Sequence, residues 1–173
     1  MLDSIKLLFS INKTNNTSEE VIMKRTFLVI LFILYTALIL FLSFQPGGNT
    51  ANTSMRFTNF ILGLFMEGDI PYETLEHWHM TFRLWAHPAL FCFYSMLAMG
   101  VATEFTKKRW VCVALTAVSG ILLAVWTEVG KWNIPGRHFD QGEMWLNVAG
   151  VVGGILIYLV AAKVFRVLCR KEK

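Results

Sequence analysis

Cysteine is scarce in this 173-residue chain, which has only three. Cys92 and Cys112 lie inside apolar runs and Cys169 lies in a basic tail, with no Cys-x-x-Cys pair among them. The cysteines therefore indicate neither a disulfide framework nor a zinc site. We interpret them as small apolar residues that fill space between packed segments.

Signatures of several functional classes are also missing. The chain has no glycine-rich phosphate loop and no serine-centred nucleophile elbow. Its formal net charge of +4 arises from Lys and Arg clustered beside apolar runs, not from a basic face interleaved with aromatic residues. We therefore expect no nucleic-acid partner, and nothing in the sequence implies a cofactor.

Long apolar runs are the dominant feature of the sequence. Hydrophobic residues make up 55% of the chain and the mean hydropathy is +0.50, whereas soluble domains average about 45–50% apolar residues. Runs of about 18 or more apolar residues with few charges span bilayers as helices. The sequence predicts an all-α, integral membrane four-helix bundle over residues 25–166, in contact with the lipid bilayer, with spans at about 25–44, 84–103, 110–127 and 143–165.

The distribution of Lys and Arg predicts the orientation of the bundle. Basic residues are concentrated in the N-terminal tail (1–24), the turn at 104–109 and the basic C-terminal tail (167–173). The loops at 45–83 and 128–142 carry few. Because cytoplasmic loops are enriched in Lys and Arg, we predict a multi-pass protein of the cell membrane with both termini in the cytoplasm and both of these loops outside.

The first external loop contains an amphipathic segment. Met55, Phe57, Ile61 and Leu64 give residues 54–65 an apolar repeat at helical spacing. This pattern predicts a short helix at the membrane surface. The sequence leaves open whether that helix lies on the bilayer or re-enters it.

The segment between the third and fourth spans carries most of the chemistry. Glu128 ends the third span, Lys131 follows three residues later, and Arg137 follows the turn formers Pro135 and Gly136. Ionisable groups beside membrane spans are costly and are usually paired. The candidate polar site comprises Glu128, Lys131, Arg137, Asp140, Glu143 and Asn147, with His87 and Gln45 from neighbouring segments.

Structural roles explain part of the same pattern. Asp140 with Glu143 three residues later is typical of a helix N-cap and its capping partner. Glu128 could form a simple ion pair with Lys131 or Arg137. Two further residues on the Glu143–Asn147 face of the fourth span are small, which lets another helix approach closely; they are Gly150 and Gly154.

Metal binding has little support in the sequence. His77 and His79 are two residues apart, so they would share a side only on a strand, and no third ligand has a fitting local spacing. His87 stands alone near the start of the second predicted span. We expect no metal site.

Three blocks of the chain resemble the VanZ-like family of small bacterial membrane proteins. The first is Phe44-Gln45-Pro46, and the second is the stretch from Arg83 to Leu97 that contains His87. The third and most specific runs from Glu128 to Gly154. It resembles the family pattern Glu-x-x-Gln, Pro-Gly-Arg-x-x-Asp-x-x-Asp, Asn-x-x-Gly, with Lys131 at the Gln position and Glu143 at the second Asp position.

The resemblance implies a role in the cell envelope, since the family takes its name from teicoplanin resistance. Three hypotheses follow. The polar site could bind an envelope component, such as a lipid-linked precursor, or a glycopeptide drug, without catalysis. It could instead be an intramembrane enzyme in which Glu128 and Glu143 exchange protons and Arg137 holds a phosphate or carboxylate. Finally, the motif could only lock the helix bundle. The oligomeric state stays open.

Overall fold

The computed structural model describes the backbone of residues 2–66 and 70–171 and the side chains of residues 19–48, 52, 54–66 and 70–168. Every regular element of this described backbone is helical. The helices are α1 (Leu2–Ser43), α2 (Gly47–Gly63), α3 (Tyr72–Phe105), α4 (Arg109–Val129) and α5 (Gln141–Lys171), with a 3-10 turn over Gly130–Asn133 between α4 and α5.

Four of these helices are long and apolar enough to cross a membrane, which confirms the predicted all-α, four-span architecture. The candidate spans are Glu19–Ser43, Tyr72–Phe105, Arg109–Asn133 and Gln141–Leu168. Helix α4, with 21 residues, is about 30 Å long, the thickness of a bilayer's hydrocarbon core. The predicted orientation, with both termini in the cytoplasm, stays a prediction.

The bundle presents apolar side chains outwards and keeps several polar ones inside. Phe27, Leu34, Leu122 and Val160 are each more than half exposed, and exposed apolar surface on this scale suits a lipid environment. Buried positions include the hydroxyl residues Thr58, Ser95, Thr116 and Thr127. Polar groups between helices are typical of membrane bundles.

Helices α3 and α5 share the most extensive interface of the bundle. A Cβ atom placed on Gly150 would collide with the main-chain oxygen of Pro88, and one on Gly154 would collide with that of Cys92. The absence of side chains at these two positions therefore lets the backbones of α3 and α5 touch. This contact fixes the level at which the polar first turn of α5 meets α3.

Two helices begin far earlier than the hydropathy pattern predicted. Helix α1 begins at Leu2 rather than 25, because no Gly or Pro separates the polar N-terminal segment from the apolar run. Helix α3 begins at Tyr72 rather than 84. Its first three turns contain Glu and His, so they give no hydropathy signal, and Pro88 lies inside the helix rather than near its start.

Helix α2 covers the segment in which a surface helix was predicted and begins at Gly47 rather than 54. Its outer face exposes Phe57 and Phe60, and its C-cap residue Leu64 is also exposed. Its inner face packs on the first turns of α3, where the Ser54 hydroxyl lies 2.6 Å from His79 Nε2. The side chain of Cys169 and the end of the basic tail, residues 172–173, lie outside the described residues.

Candidate polar site at the α4–α5 end of the bundle

A buried ion-pair network lies where α4 ends and α5 begins. Lys131 Nζ is 2.6 Å from Glu128 Oε1 and 2.6 Å from Glu143 Oε2. Glu128 stands in the last turn of α4, Lys131 in the 3-10 turn and Glu143 in the first turn of α5. Glu128 and Lys131 are buried. One ammonium therefore bridges two carboxylates, which offsets part of the cost of removing these charges from water.

Helix α3 completes the network from the opposite side. Arg83 Nη2 is 3.2 Å from Glu143 Oε1, and His87 Nε2 is 3.3 Å from Glu143 Oε2. Arg83 and His87 are four residues apart, so they lie on one face of α3. Glu143 is thus surrounded by an ammonium, a guanidinium and an imidazole.

Asn147 links the two halves of the network. Its amide nitrogen lies 3.5 Å from Glu128 Oε1, and its Oδ1 is 3.2 Å from His87 Nδ1. Since an amide oxygen accepts hydrogen bonds, His87 Nδ1 carries the proton in this contact. These five side chains with Arg83 form what we call the polar cluster: Arg83, His87, Glu128, Lys131, Glu143 and Asn147.

One acceptor of the polar cluster is left without a partner. Glu128 Oε2 is buried and receives no hydrogen bond from the described residues. A buried carboxylate oxygen without a donor is costly. On the other side, Arg83 is the most open member, with 41% of its side chain exposed. The cluster is therefore buried at Glu128 and reaches the surface of the bundle at Arg83.

The guanidinium of Arg137 contacts the end of α1. Its Nε donates to the main-chain oxygen of Gln45 at 3.2 Å, and its Nη2 donates to that of Leu42 at 3.3 Å. A cation at the C-terminal end of a helix stabilises the carbonyl groups left without intrahelical partners. Burial lowers the pKa of Arg137 from its ordinary value, and the nearby Arg83 guanidinium acts in the same direction.

The turn that contains Arg137 packs directly against the start of α2. Gly47 N donates to the main-chain oxygen of Pro135 at 3.3 Å. A Cβ atom on Gly47 would collide with the main-chain oxygen of Gly136, and Gly136 itself adopts a φ of 73°, a conformation that favours glycine. The Gln45-Pro46-Gly47 and Pro135-Gly136-Arg137 stretches therefore form one clamp between α1, α2 and the α4–α5 connection.

Asp140 lies at the N-terminal end of α5 and acts on the backbone. Its Oδ1 accepts hydrogen bonds from Gly142 N at 2.7 Å and Glu143 N at 3.2 Å. This is the geometry of a helix N-cap. The capped turn holds Glu143 at the level of Lys131, so Asp140 acts on the polar cluster through the backbone of Glu143.

The structure brings together three side chains that could hold a metal ion. Ligand atoms of His87, Glu128 and Glu143 lie within 4.8 Å of one another. Lys131 Nζ already lies between the two carboxylates, so a divalent ion would have to displace an ammonium group. His77 and His79 do not share a site: both lie on helix α3, and His79 is buried against Ser54.

Arg83 is the member of the polar cluster that sequence reasoning did not select. Arg83 is the first residue of the second block that resembles the VanZ-like family, but it was not among the residues of the candidate polar site. The signal that could have found it is its spacing of four residues from His87, which places both side chains on one helical face. Gln45 was among the selected residues, and its main-chain oxygen accepts a hydrogen bond from Arg137 Nε.

Three comparisons relate this chain to curated proteins, solved structures and protein families. Neither the curated proteins nor the solved structures contain a match to this chain. A scan against protein families matches residues 27–164 to the family described as VanZ/LLP1. That range includes all four candidate spans in whole or in large part, the clamp and the entire polar cluster, and on this match the chain belongs to the VanZ/LLP1 family.

Proposed function

We propose that this VanZ-like membrane protein contributes to tolerance of envelope-directed glycopeptides of the teicoplanin type, or to the integrity of the envelope. It does so by binding a polar group of an envelope component or drug at the polar cluster. The predicted orientation places this end of the bundle outside the cell, where such ligands occur. The family membership supports the envelope role.

The observation that carries the proposal is a partly exposed cation, Arg83, at the edge of a buried network of charges. Arg83 is the most exposed member of the cluster. Its guanidinium offers a planar fork of donors to a carboxylate or phosphate. Behind Arg83 lie the buried charges of Glu128 and Lys131. A ligand with an anionic group, such as the carboxylate of a sugar-peptide or its lipid phosphate, matches the exposed guanidinium.

Binding fits the geometry better than acid–base catalysis. Lys131 contacts Glu128 and Glu143 at once, which ties both carboxylates to one immobile partner. A general acid or base needs a carboxyl group within reach of the substrate proton, and Glu128 is buried. The enzyme hypothesis therefore predicts a loss of function in Glu128→Gln, whereas a binding site that keeps its shape tolerates this change.

Direct binding tests the proposal. Teicoplanin and a lipid-linked disaccharide-peptide precursor are titrated separately into purified wild type and the Arg83→Gln variant in neutral detergent. We expect one of the two probes to bind the wild type. Loss of a charge-assisted hydrogen bond of about 1.5–3 kcal/mol should weaken that binding roughly 10- to 150-fold in Arg83→Gln. If neither probe binds, or if both proteins bind equally well, the proposal is wrong.

A further inference from the structure

The opposite end of the bundle, at the turn between α3 and α4, has cations around two cavities. A cavity of about 280 Å³ is lined in part by Lys107, Arg109 and Arg166. A neighbouring cleft of about 520 Å³ is lined by Arg109, Lys163, Arg166 and Val167. Because Arg109 and Arg166 belong to both walls, the two spaces adjoin. We call this region the basic end, defined by Lys107, Arg109, Lys163 and Arg166.

No acidic side chain compensates these four cations within the part of the chain whose side chains are described. The ion pairs at this level join Lys24 and Arg25 of α1 to Glu104, at 2.6 and 3.6 Å. Neither cavity has an acidic residue in its wall. Like charges that converge on one space repel one another, so an anion bound there would relieve the repulsion.

The remaining polar groups of the smaller cavity are already paired, and part of its wall is apolar. Thr103 donates to the main-chain oxygen of Gly100 at 2.9 Å, and its hydroxyl lies 3.0 Å from that of Tyr158. Met99 and Leu159 supply apolar wall. A ligand would therefore meet both cations and hydrocarbon in the wall of this cavity, which matches an amphiphile better than a free ion.

The start of α4 adds to this preference for negative charge. Its N-cap residue, Lys108, makes no side-chain cap hydrogen bond, and its first turn contains no acid. The free N–H groups of a helix start favour an anion. Phe105 and Trp110 flank the turn and are 68% and 71% exposed. Aromatic side chains at the ends of spans lie at the headgroup level, so the cavities open at the depth of lipid phosphates.

We propose that the basic end binds the headgroup phosphate of an anionic phospholipid from the surrounding leaflet. The guanidinium groups of Arg109 and Arg166, which border both cavities, are the principal contacts, and Lys107 and Lys163 add positive charge. Basic pockets between membrane helices bind anionic headgroups elsewhere. The predicted orientation places this end in the cytoplasmic leaflet, where anionic lipids are enriched in many membranes. This inference is independent of the function proposed for the polar cluster.

The test uses the full-length protein purified in neutral detergent. Native mass spectrometry counts bound lipid, and thermal unfolding records the stabilisation, with phosphatidylglycerol, phosphatidylcholine or inorganic phosphate added separately. The variants are Arg109→Gln and Arg166→Gln. The matched control is Arg56→Gln, an exposed arginine of α2 near the opposite end of the bundle. Unfolding without added lipid verifies that each variant folds.

We expect phosphatidylglycerol to bind and stabilise the wild type and the Arg56→Gln control, and phosphatidylcholine to do so much less. Each arginine variant should bind phosphatidylglycerol about fivefold more weakly, the effect of one surface cation on an anionic lipid. Equal binding of the two lipids, or unchanged preference in both arginine variants, would overturn the proposal. Stabilisation by inorganic phosphate equal to that by phosphatidylglycerol would also overturn it, because the site would then take a free anion.

Discussion

Lys131 and Glu143 contact each other at 2.6 Å although twelve positions separate them, and this contact joins the end of α4 to the beginning of α5. Glu128 pairs with the same ammonium. The polar segment between the last two spans is therefore folded back onto itself rather than extended into a loop. Glu143 is also the residue of α5 that Arg83 and His87 of α3 contact.

Removing the central cation should destabilise the bundle. Lys131→Met would leave two carboxylates without their shared partner, and breaking a buried ion pair costs about 3–5 kcal/mol. Thermal unfolding in detergent should show a clearly lower Tm for this variant. Lys131→Met combined with Glu128→Gln removes one of the stranded charges and should recover part of the loss. An unchanged Tm in Lys131→Met would contradict the account of the network.

A second substitution at the same position tests the metal chemistry of the cluster. Lys131→Gln removes the ammonium that lies between the carboxylates and restores the residue of the VanZ-like pattern. His87, Glu128 and Glu143 are then free to act as three ligands, enough for zinc with water as the fourth. We expect the variant to bind Zn²⁺ in calorimetry more tightly than the wild type. Equal affinities would show that Lys131 does not control access to these ligands.

Two adjacent glycines of α5 provide a matched test of the α3–α5 contact. Gly154→Ala should destabilise the protein by about 1–3 kcal/mol, because the added methyl group meets the main chain of Cys92. A Cβ atom added to Gly153 would meet no neighbouring atom within 4 Å. Gly153→Ala should therefore be neutral or stabilising by up to about 1 kcal/mol through helix propensity. Equal Tm values for the two variants would contradict the close contact between α3 and α5 at Gly154.

The cap at Asp140 should affect stability rather than ligand specificity. Asp140→Ala removes the acceptor for Gly142 N and Glu143 N and should cost about 0.5–2 kcal/mol. Asp140→Asn keeps an oxygen that can cap the helix and should retain most of the stability. If Asp140→Asn lost tolerance at normal abundance and stability, the carboxylate would have a role beyond the cap.

The sequence predicted the number of spans correctly because about 20 apolar residues without charge can only be accommodated in lipid as a helix. It missed how far α1 and α3 extend toward their N-termini, since the more polar turns at 2–20 and 72–82 lack the hydropathy of a membrane span. Local contacts of the site could be predicted from spacing, as for Glu128 with Lys131 and for the Asp140 cap.

Long-range contacts of the site could not be predicted in the same way. The Arg83–Glu143 pair and the Arg137 contact with Leu42 depend on how α3 and α1 pack against the connection between α4 and α5. The spacing of residues along one helix does not predict how that helix packs against another. The close contact between Gly47 and Gly136 could not be predicted either, because a glycine-rich turn can pack against many different segments.

The most direct test of the central claim is growth of a sensitive Gram-positive host in teicoplanin. Wild type, Arg83→Gln, the Arg56→Gln control and an empty vector are compared at matched membrane abundance. If the polar cluster binds the ligand through Arg83, wild type and Arg56→Gln will protect, and Arg83→Gln will grow no better than the vector. Equal protection by Arg83→Gln, or none by the wild type, would contradict the account.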